Sequence, residues 1–461
     1  MLSMSYSKQI FVNIFYLSSF LTICFASRAS NHLLGGQTTV FIESSRAFSQ
    51  PAKNLPVQQL RQFTFGNRLF NTQWVSASDS VRDFDGLGPL FSRNSCSSCH
   101  LKDGRGHPPQ GPHERLNSMS VQLSIKISED QVITHPLYGE QIDEQSITGF
   151  KPEGQIFIEY KETAGHFPDG ELFTLRQPSY QLQNLAYGEI EGDILFSGRV
   201  APAVHGLGLL EAIPELVILQ YSDAEDKNKD GISGRPSWVV DLISGQMVLG
   251  RFGWKARQPN IVQQVATAFL HDIGITTNIM PDEKWISQSD PNKKVVSGGK
   301  PELNDTFLQK ITFYLQTLAV PSQRNWNDPK VVSGRKLFDK IGCASCHRPH
   351  FKTGTHPISK ALSDQEIYPF SDLLLHDMGP GLADNRPEAS ANGREWRTPP
   401  LWGIGLINVV NGHTNFLHDG RARNLKEAIL WHGGEAERSK RNFMHLSKAN
   451  RDKIISFLNS L

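Results

Sequence analysis

The sequence predicts a mainly α chain built from two tandem units, the first enlarged by an insertion with some β-strand. Three observations predict it. The pentapeptide C-x-x-C-H occurs twice, at Cys96, Cys99 and His100 and again at Cys343, Cys346 and His347. Five local similarities, the pentapeptide among them, recur in the same order in both halves, which indicates duplication. The segments that carry them place apolar residues at helical spacing.

Two cysteines at this spacing can form thioethers with the two vinyl groups of one haem, and the next histidine is then held against the iron. A redox dithiol or half a zinc site needs no histidine there. Two covalently bound c-type haems are therefore expected, attached through Cys96 and Cys99 and through Cys343 and Cys346, with His100 and His347 as axial ligands. Each unit then reads as a cytochrome c-like domain. The fifth cysteine, Cys24, leaves no pair for a structural disulfide.

Taken along the chain, Lys8 precedes an apolar run from Ile10 to Ala26, and small residues follow at Ala26, Ser27, Ala29 and Ser30. Residues 1–29 are expected to be a signal peptide, so the protein is expected in the periplasm, where this haem attachment is completed. A membrane anchor is the competing reading, weakened by Asn13, Ser18 and Ser19; Ile23 is bulky for a lipoprotein site at Cys24. The first unit is expected over 30–318, a short polar linker over 319–327 and the second unit over 328–461. Gly66-Asn-Arg-Leu-Phe-Asn71 matches Gly334-Arg-Lys-Leu-Phe-Asp339 upstream of the two haem motifs. Arg199-Val-Ala-Pro202 with Gly206-Leu-Gly208 matches Arg397-Thr-Pro-Pro400 with Gly403-Ile-Gly405, and Phe252-Gly-Trp254 matches Phe416-Leu-His418. Lys310 to Leu318 matches Lys453 to Leu461. Asp328 and Pro329 suit a helix start, after which Val331, Gly334, Leu337, Phe338 and Ile341 share one face. Ser447 is expected to cap a final helix with a stripe of Ile454, Phe457, Leu458 and Leu461, and Gly334 would let the two helices cross closely. In the insertion, the alternation over Val121 to Ile127 and Gln155 to Tyr160 predicts strands.

Composition narrows the function. A net charge of +1 with no basic run argues against nucleic acid, and nothing after the N-terminal run is apolar enough to span a membrane.

With these residues placed, the chain resembles the di-haem oxidoreductase family, also labelled thiol oxidoreductases, which is related to bacterial di-haem cytochrome c peroxidases and the methylamine-utilisation di-haem enzyme. The resemblance covers about residues 55–461. It rests on Gly86 to Phe91, Gly206 to Pro214, Gly250 to Ala256, Asp272 to Thr277, His376 to Gly379, Arg397 to Trp402 and the closing Leu417 to Gly434.

The resemblance implies site residues. The sixth ligand of the second haem falls on His432, with Met378 as the alternative. The matching helix of the first unit has no His, Met, Tyr or Cys near Ala268, which suggests an iron open to a small oxidant. Asp272, with His271 beside it, fits the place of an acid–base group that moves a proton between the oxygens of a peroxide. A turn residue is the plainer reading of Asp272. Trp254 occupies the place of a tryptophan that bridges the haems; core packing is its ordinary fate. His107 and His113 lie where some resting peroxidases keep a blocking histidine, and both are otherwise loop residues.

From the residues themselves, Asp226, Asn228 and Asp230, with the Ile232 carbonyl, match the first half of a calcium loop. Ser237 stands where a bidentate Glu is usual, and an Asx-rich turn is the alternative. The expected activity is reduction of a peroxide-type oxidant at the first haem, with electrons entering at the second from a small redox protein or cytochrome. The alternatives are a di-haem oxidase of a thiol, iron or partner protein, and a non-catalytic di-haem electron carrier.

Overall fold

The computed structural model describes residues 32–78, 82–128, 131–283 and 296–461. The segment read as an export signal, with Lys8 and Cys24, lies outside them.

Two helix pairs organise the chain. Helix Val57–Phe70 crosses helix Asp305–Gln316, and helix Pro329–Lys340 crosses helix Lys448–Ser460. Glycine makes each crossing possible. A methyl on Gly66 would collide with the Lys310 carbonyl oxygen, and one on Gly334 would collide with that of Lys453. The two carbonyls occupy matching positions of the repeat. A second match follows, because Gly208 lies against the Gln316 carbonyl and Gly405 against that of Asn459. Gly206 and Gly403 both take a left-handed φ of 75°, which a side chain would oppose. The internal repeat is thus a repeat of backbone contacts.

The starts of these helices follow from local chemistry. The Asp328 carboxylate accepts from the Lys330 N–H and Pro329 opens the helix. Ser447 departs from expectation, since it precedes Lys448–Ser460 without a side-chain capping bond. Ile454, Phe457, Leu458 and Leu461 are nevertheless buried as a stripe.

The expectation of a mainly α chain of two cytochrome c-like domains is not met. Helix makes up 28% and strand 18%, with the described strands in six small sheets. The predicted insertion strands are present. Met119–Lys126 pairs with Ile194–Val200, burying Val121 and Leu123, and Gln155–His166 forms a long antiparallel hairpin with Leu172–Gln183. The unexpected strands are short, such as Leu375–Asp377 against Glu395–Arg397 and Trp238–Val240 against Met247–Leu249. Two or three residues are too few to show an alternation, so such strands escape a period-based reading.

One apolar cluster runs through both halves and contains Phe63, Phe70 and Tyr314 as well as Phe338 and Phe457. A second packs the insertion strands, through Val121, Leu123, Ile156 and Ile158, onto Trp254 and Trp396. The segment 319–327 is anchored at its start: Ala319 and Val320 are fully buried, and Gln323 donates to the Ser460 hydroxyl. No described helix is long and apolar enough to cross a membrane.

Candidate functional site

Both C-x-x-C-H motifs open onto one internal cavity of about 520 Å³. Cys96–Cys99 is a single helical turn and Cys343–Ser345 a short 3₁₀ turn, each placing its cysteines and histidine on the cavity wall. Burial, the neighbouring Cys99 and the Asp272 carboxylate push the Cys96 thiol up to about 12. Burial chiefly does the same to Cys99 and Cys343. A redox dithiol needs an accessible thiolate, so these pairs are built for another task.

The motif histidines are held alike. His100 donates Nδ1–H to the Pro202 carbonyl at 2.7 Å, and His347 donates Nδ1–H to the Phe370 carbonyl at 2.9 Å. A carbonyl can only accept, so both rings keep Nε2 unprotonated and able to bind a metal. Burial lowers both to about 4, which keeps them neutral at ordinary pH.

His432 lines the same cavity and is fixed in the same manner, through Nδ1 to the Ala428 carbonyl at 2.8 Å. Its ring centroid lies 6.5 Å from that of His347. Two imidazoles each about 2 Å from one metal ion through nitrogen have roughly this separation. Helix Leu425–Leu430 is capped by Asn424 and helix Ile261–Ala268 by Asn260 in the same way. Eight residues beyond each cap stand His432 and Ala268, and both line the cavity. Met378 reaches the cavity too, packed with the cluster of Trp254 and Trp396.

Asp272 and His271 lie in the π-helical turn Phe269–Ile273 that extends helix Ile261–Ala268, and both line the cavity. Such turns recur at functional sites. Asp272 accepts at Oδ1 from the Gln141 amide at 3.1 Å and is close enough to raise both thiols of the first motif. Burial alone would raise Glu140, but Arg257 at 2.8 Å and, further off, His271 hold it below its usual value.

Trp254 is buried on the cavity wall, its indole N–H donating to the Val200 carbonyl at 3.0 Å. His107 and His113 do not line the cavity: His107 packs 5.4 Å from His413, and His113 is exposed. In the loop proposed for calcium, Asp226 accepts from Gly231 N–H, Asn228 from Asp230 N–H and Asp230 from Ile232 N–H. The bonds to Asn228 and Asp230, each from the N–H two residues on, are Asx turns.

Sequence reading missed several residues. Gln141, which holds Asp272, sits in the insertion with no motif around it. His376 is clamped between Asp372 at 2.9 Å and Glu435 at 2.6 Å, with the Cys346 sulfur 3.7 Å away. Burial disfavours its charge, yet Asp372 raises it well above the usual value. Among the described residues, Cys346, Asp372 and His376 are the one trio with ligand atoms within 4.8 Å of each other. Cys346 belongs to a haem motif and both His376 nitrogens face carboxylates, so the trio reads as an ion-paired clamp on that motif.

The donor set fits haem at both motifs: a cysteine pair, a neutral imidazole and an enclosed apolar wall. A family model described as "Di-haem oxidoreductase, putative peroxidase" matches residues 29–461. The chain belongs to that family. Haem is therefore the cofactor class of this di-haem oxidoreductase. No curated protein and no solved structure matches the chain.

Proposed function

We propose that this di-haem oxidoreductase is a periplasmic peroxidase, taking electrons at the second motif and reducing a peroxide beside the first. One difference carries the reading: His432 faces His347 at 6.5 Å, whereas the corresponding cavity position near the first motif is Ala268. Bound at these motifs, haem would supply two redox-active irons, one closed by two histidines and suited to electron transfer, the other free to meet a small oxidant.

The protein's own groups do the rest. Cys96, Cys99, Cys343 and Cys346 anchor the cofactors covalently, and His100 and His347 with His432 ligate them. Asp272, held by Gln141, carries a proton from the nearer to the farther oxygen of the peroxide, with His271 as the neighbouring candidate. Each turnover takes two electrons and two protons and turns one hydrogen peroxide into two waters. Trp254 passes electrons between the halves. A small redox protein or cytochrome is the donor.

The test is the spin state of each haem in oxidised and half-reduced protein, read with peroxide consumption. One high-spin and one low-spin iron with peroxide turnover is the expected result. Two low-spin irons in both states, with no turnover, would make the protein an electron carrier. Oxidation of a thiol, of ferrous iron or of a protein partner without peroxide turnover would replace the substrate.

A further inference from the structure

Three arginines on the cavity wall, Arg93, Arg105 and Arg397, have no carboxylate bonded to them among the described residues, and the last two flank Trp254. Arg105 donates Nε–H to the Asn415 carbonyl at 2.8 Å and Nη2–H to that of Leu417. Arg397, only 8% exposed, donates Nε–H to the Gly253 carbonyl at 2.9 Å and Nη1–H to that of Thr398 at 3.2 Å. Carbonyls satisfy hydrogen bonds but cannot balance charge, and an enclosed guanidinium without an anion is costly. The nearest carboxylates are already engaged. Asp419 is bonded to Arg421 at 2.7 Å, and Asp372 to His376 at 2.9 Å. Two further arginines on the same wall contrast with this pair: Arg199 meets Glu388, and Arg257 meets Glu140 and Glu388. Burial lowers Arg105 and Arg397 to about 10, still charged at neutral pH.

Their placement is also specific. The Arg105 guanidinium lies 5.3 Å from the Trp254 ring, and the Arg397 N–H donates to the Trp254 carbonyl at 2.9 Å. Arg105 follows the first motif in the same loop. Arg397 sits on the side of the second, since the Thr398 carbonyl beside it accepts from Ser371, the neighbour of the Phe370 that holds His347. Whatever fills the cavity must bring carboxylates to these two points, one on each side of the tryptophan. Haem carries two propionates.

We propose that Arg105 binds a propionate of the haem at the first motif and Arg397 a propionate of the haem at the second. A guanidinium fork suits a carboxylate in a way that an ammonium does not. A fixed positive charge there also favours the reduced haem, so each arginine sets the potential of its own cofactor. This inference rests on two haems being bound at the motifs, and haem content is therefore counted first.

The experiment is potentiometric titration of the holoprotein and of Arg105→Gln and Arg397→Gln, each haem followed by its own optical bands. Resonance Raman of the propionate bending modes is recorded in parallel. Arg105→Gln should lower the first haem's potential and leave the second in place; Arg397→Gln should do the reverse. Arg→Lys at either site should recover most of the potential but still shift the propionate modes. Two-haem variants with unmoved potentials and unmoved modes would overturn the proposal. So would wild-type potentials that follow added acetate, because the arginines would then hold an exogenous carboxylate. Should a Gln variant fail to fold, unaltered propionate modes in the Lys variant would overturn it equally. A chain that never holds two haems would instead remove the proposed function.

Discussion

His432 and Ala268 stand at the same step of two equivalent helices, each counted from an asparagine cap, and only one of them can bind iron. In the proposed function, that single difference divides the labour between the halves. Replacing His432 with glycine should turn the second haem high-spin and slow electron transfer between the halves, read by optical and paramagnetic resonance spectra; an unchanged spectrum would move the ligand to Met378. Asp272 is the other decisive side chain. Asp272→Asn keeps the size and an oxygen able to accept from Gln141 but cannot take up and release a proton as a carboxylate does, so haem content should hold while peroxide turnover falls at least about tenfold. If turnover holds in that variant and collapses in His271→Ala, the proton belongs to the histidine.

The helix crossings depend on glycines that face backbone rather than flexible side chains. Gly334→Ala drives its methyl into the Lys453 carbonyl and the Phe457 side chain, where little can yield. A loss of about 1–3 kcal/mol is expected, seen as a lower denaturant midpoint for the second half's haem bands. A midpoint equal to wild type would show that the helices can part without cost. The same elements show what a sequence makes visible. Helix Pro329–Lys340 was legible because Asp328, Pro329 and the stripe Val331, Gly334, Phe338 all agree on it. Strand Leu375–Asp377 was not, because its pairing with Glu395–Arg397 is a long-range event on three residues.

Across the whole molecule, the hairpin inserted in the first half docks on the second. Arg451, fully buried, reaches Asp169 and Glu171, each at 2.7 Å, and Lys426 also pairs with Glu171. Lys426 and Arg451 pull the Glu171 carboxyl down to about 2. A carboxyl lowered in the folded state stabilises it above the ordinary value of 4.5, and that help is lost as pH falls toward 2. Hydrogen exchange over residues 155–183 should therefore quicken across that window, after correction for the intrinsic pH dependence of exchange. Arg451→Met should remove part of the pH response, the share of Lys426 remaining, while keeping the packing on Phe167, over whose ring the guanidinium sits at 4.0 Å. Exchange that ignores both changes would mean the hairpin is held by its apolar contacts alone.

By itself the sequence determined the haem-motif spacing, the repeat and the helices that carry it, because C-x-x-C-H, capping residues and apolar stripes act within a few residues of themselves. Resemblance to the family, rather than any local pattern, pointed to His432 and Asp272. Only the tertiary structure brought Gln141 to Asp272, set the His347 and His432 rings 6.5 Å apart, and left Arg105 and Arg397 facing the cavity with no anion among the described residues. Those relations join residues far apart in the chain, and whether a charge is paired depends on what folding places beside it. A lone Arg105 in the sequence looks like any surface arginine; beside Trp254 and bonded only to carbonyls, it is the residue we propose to pair with a carboxylate.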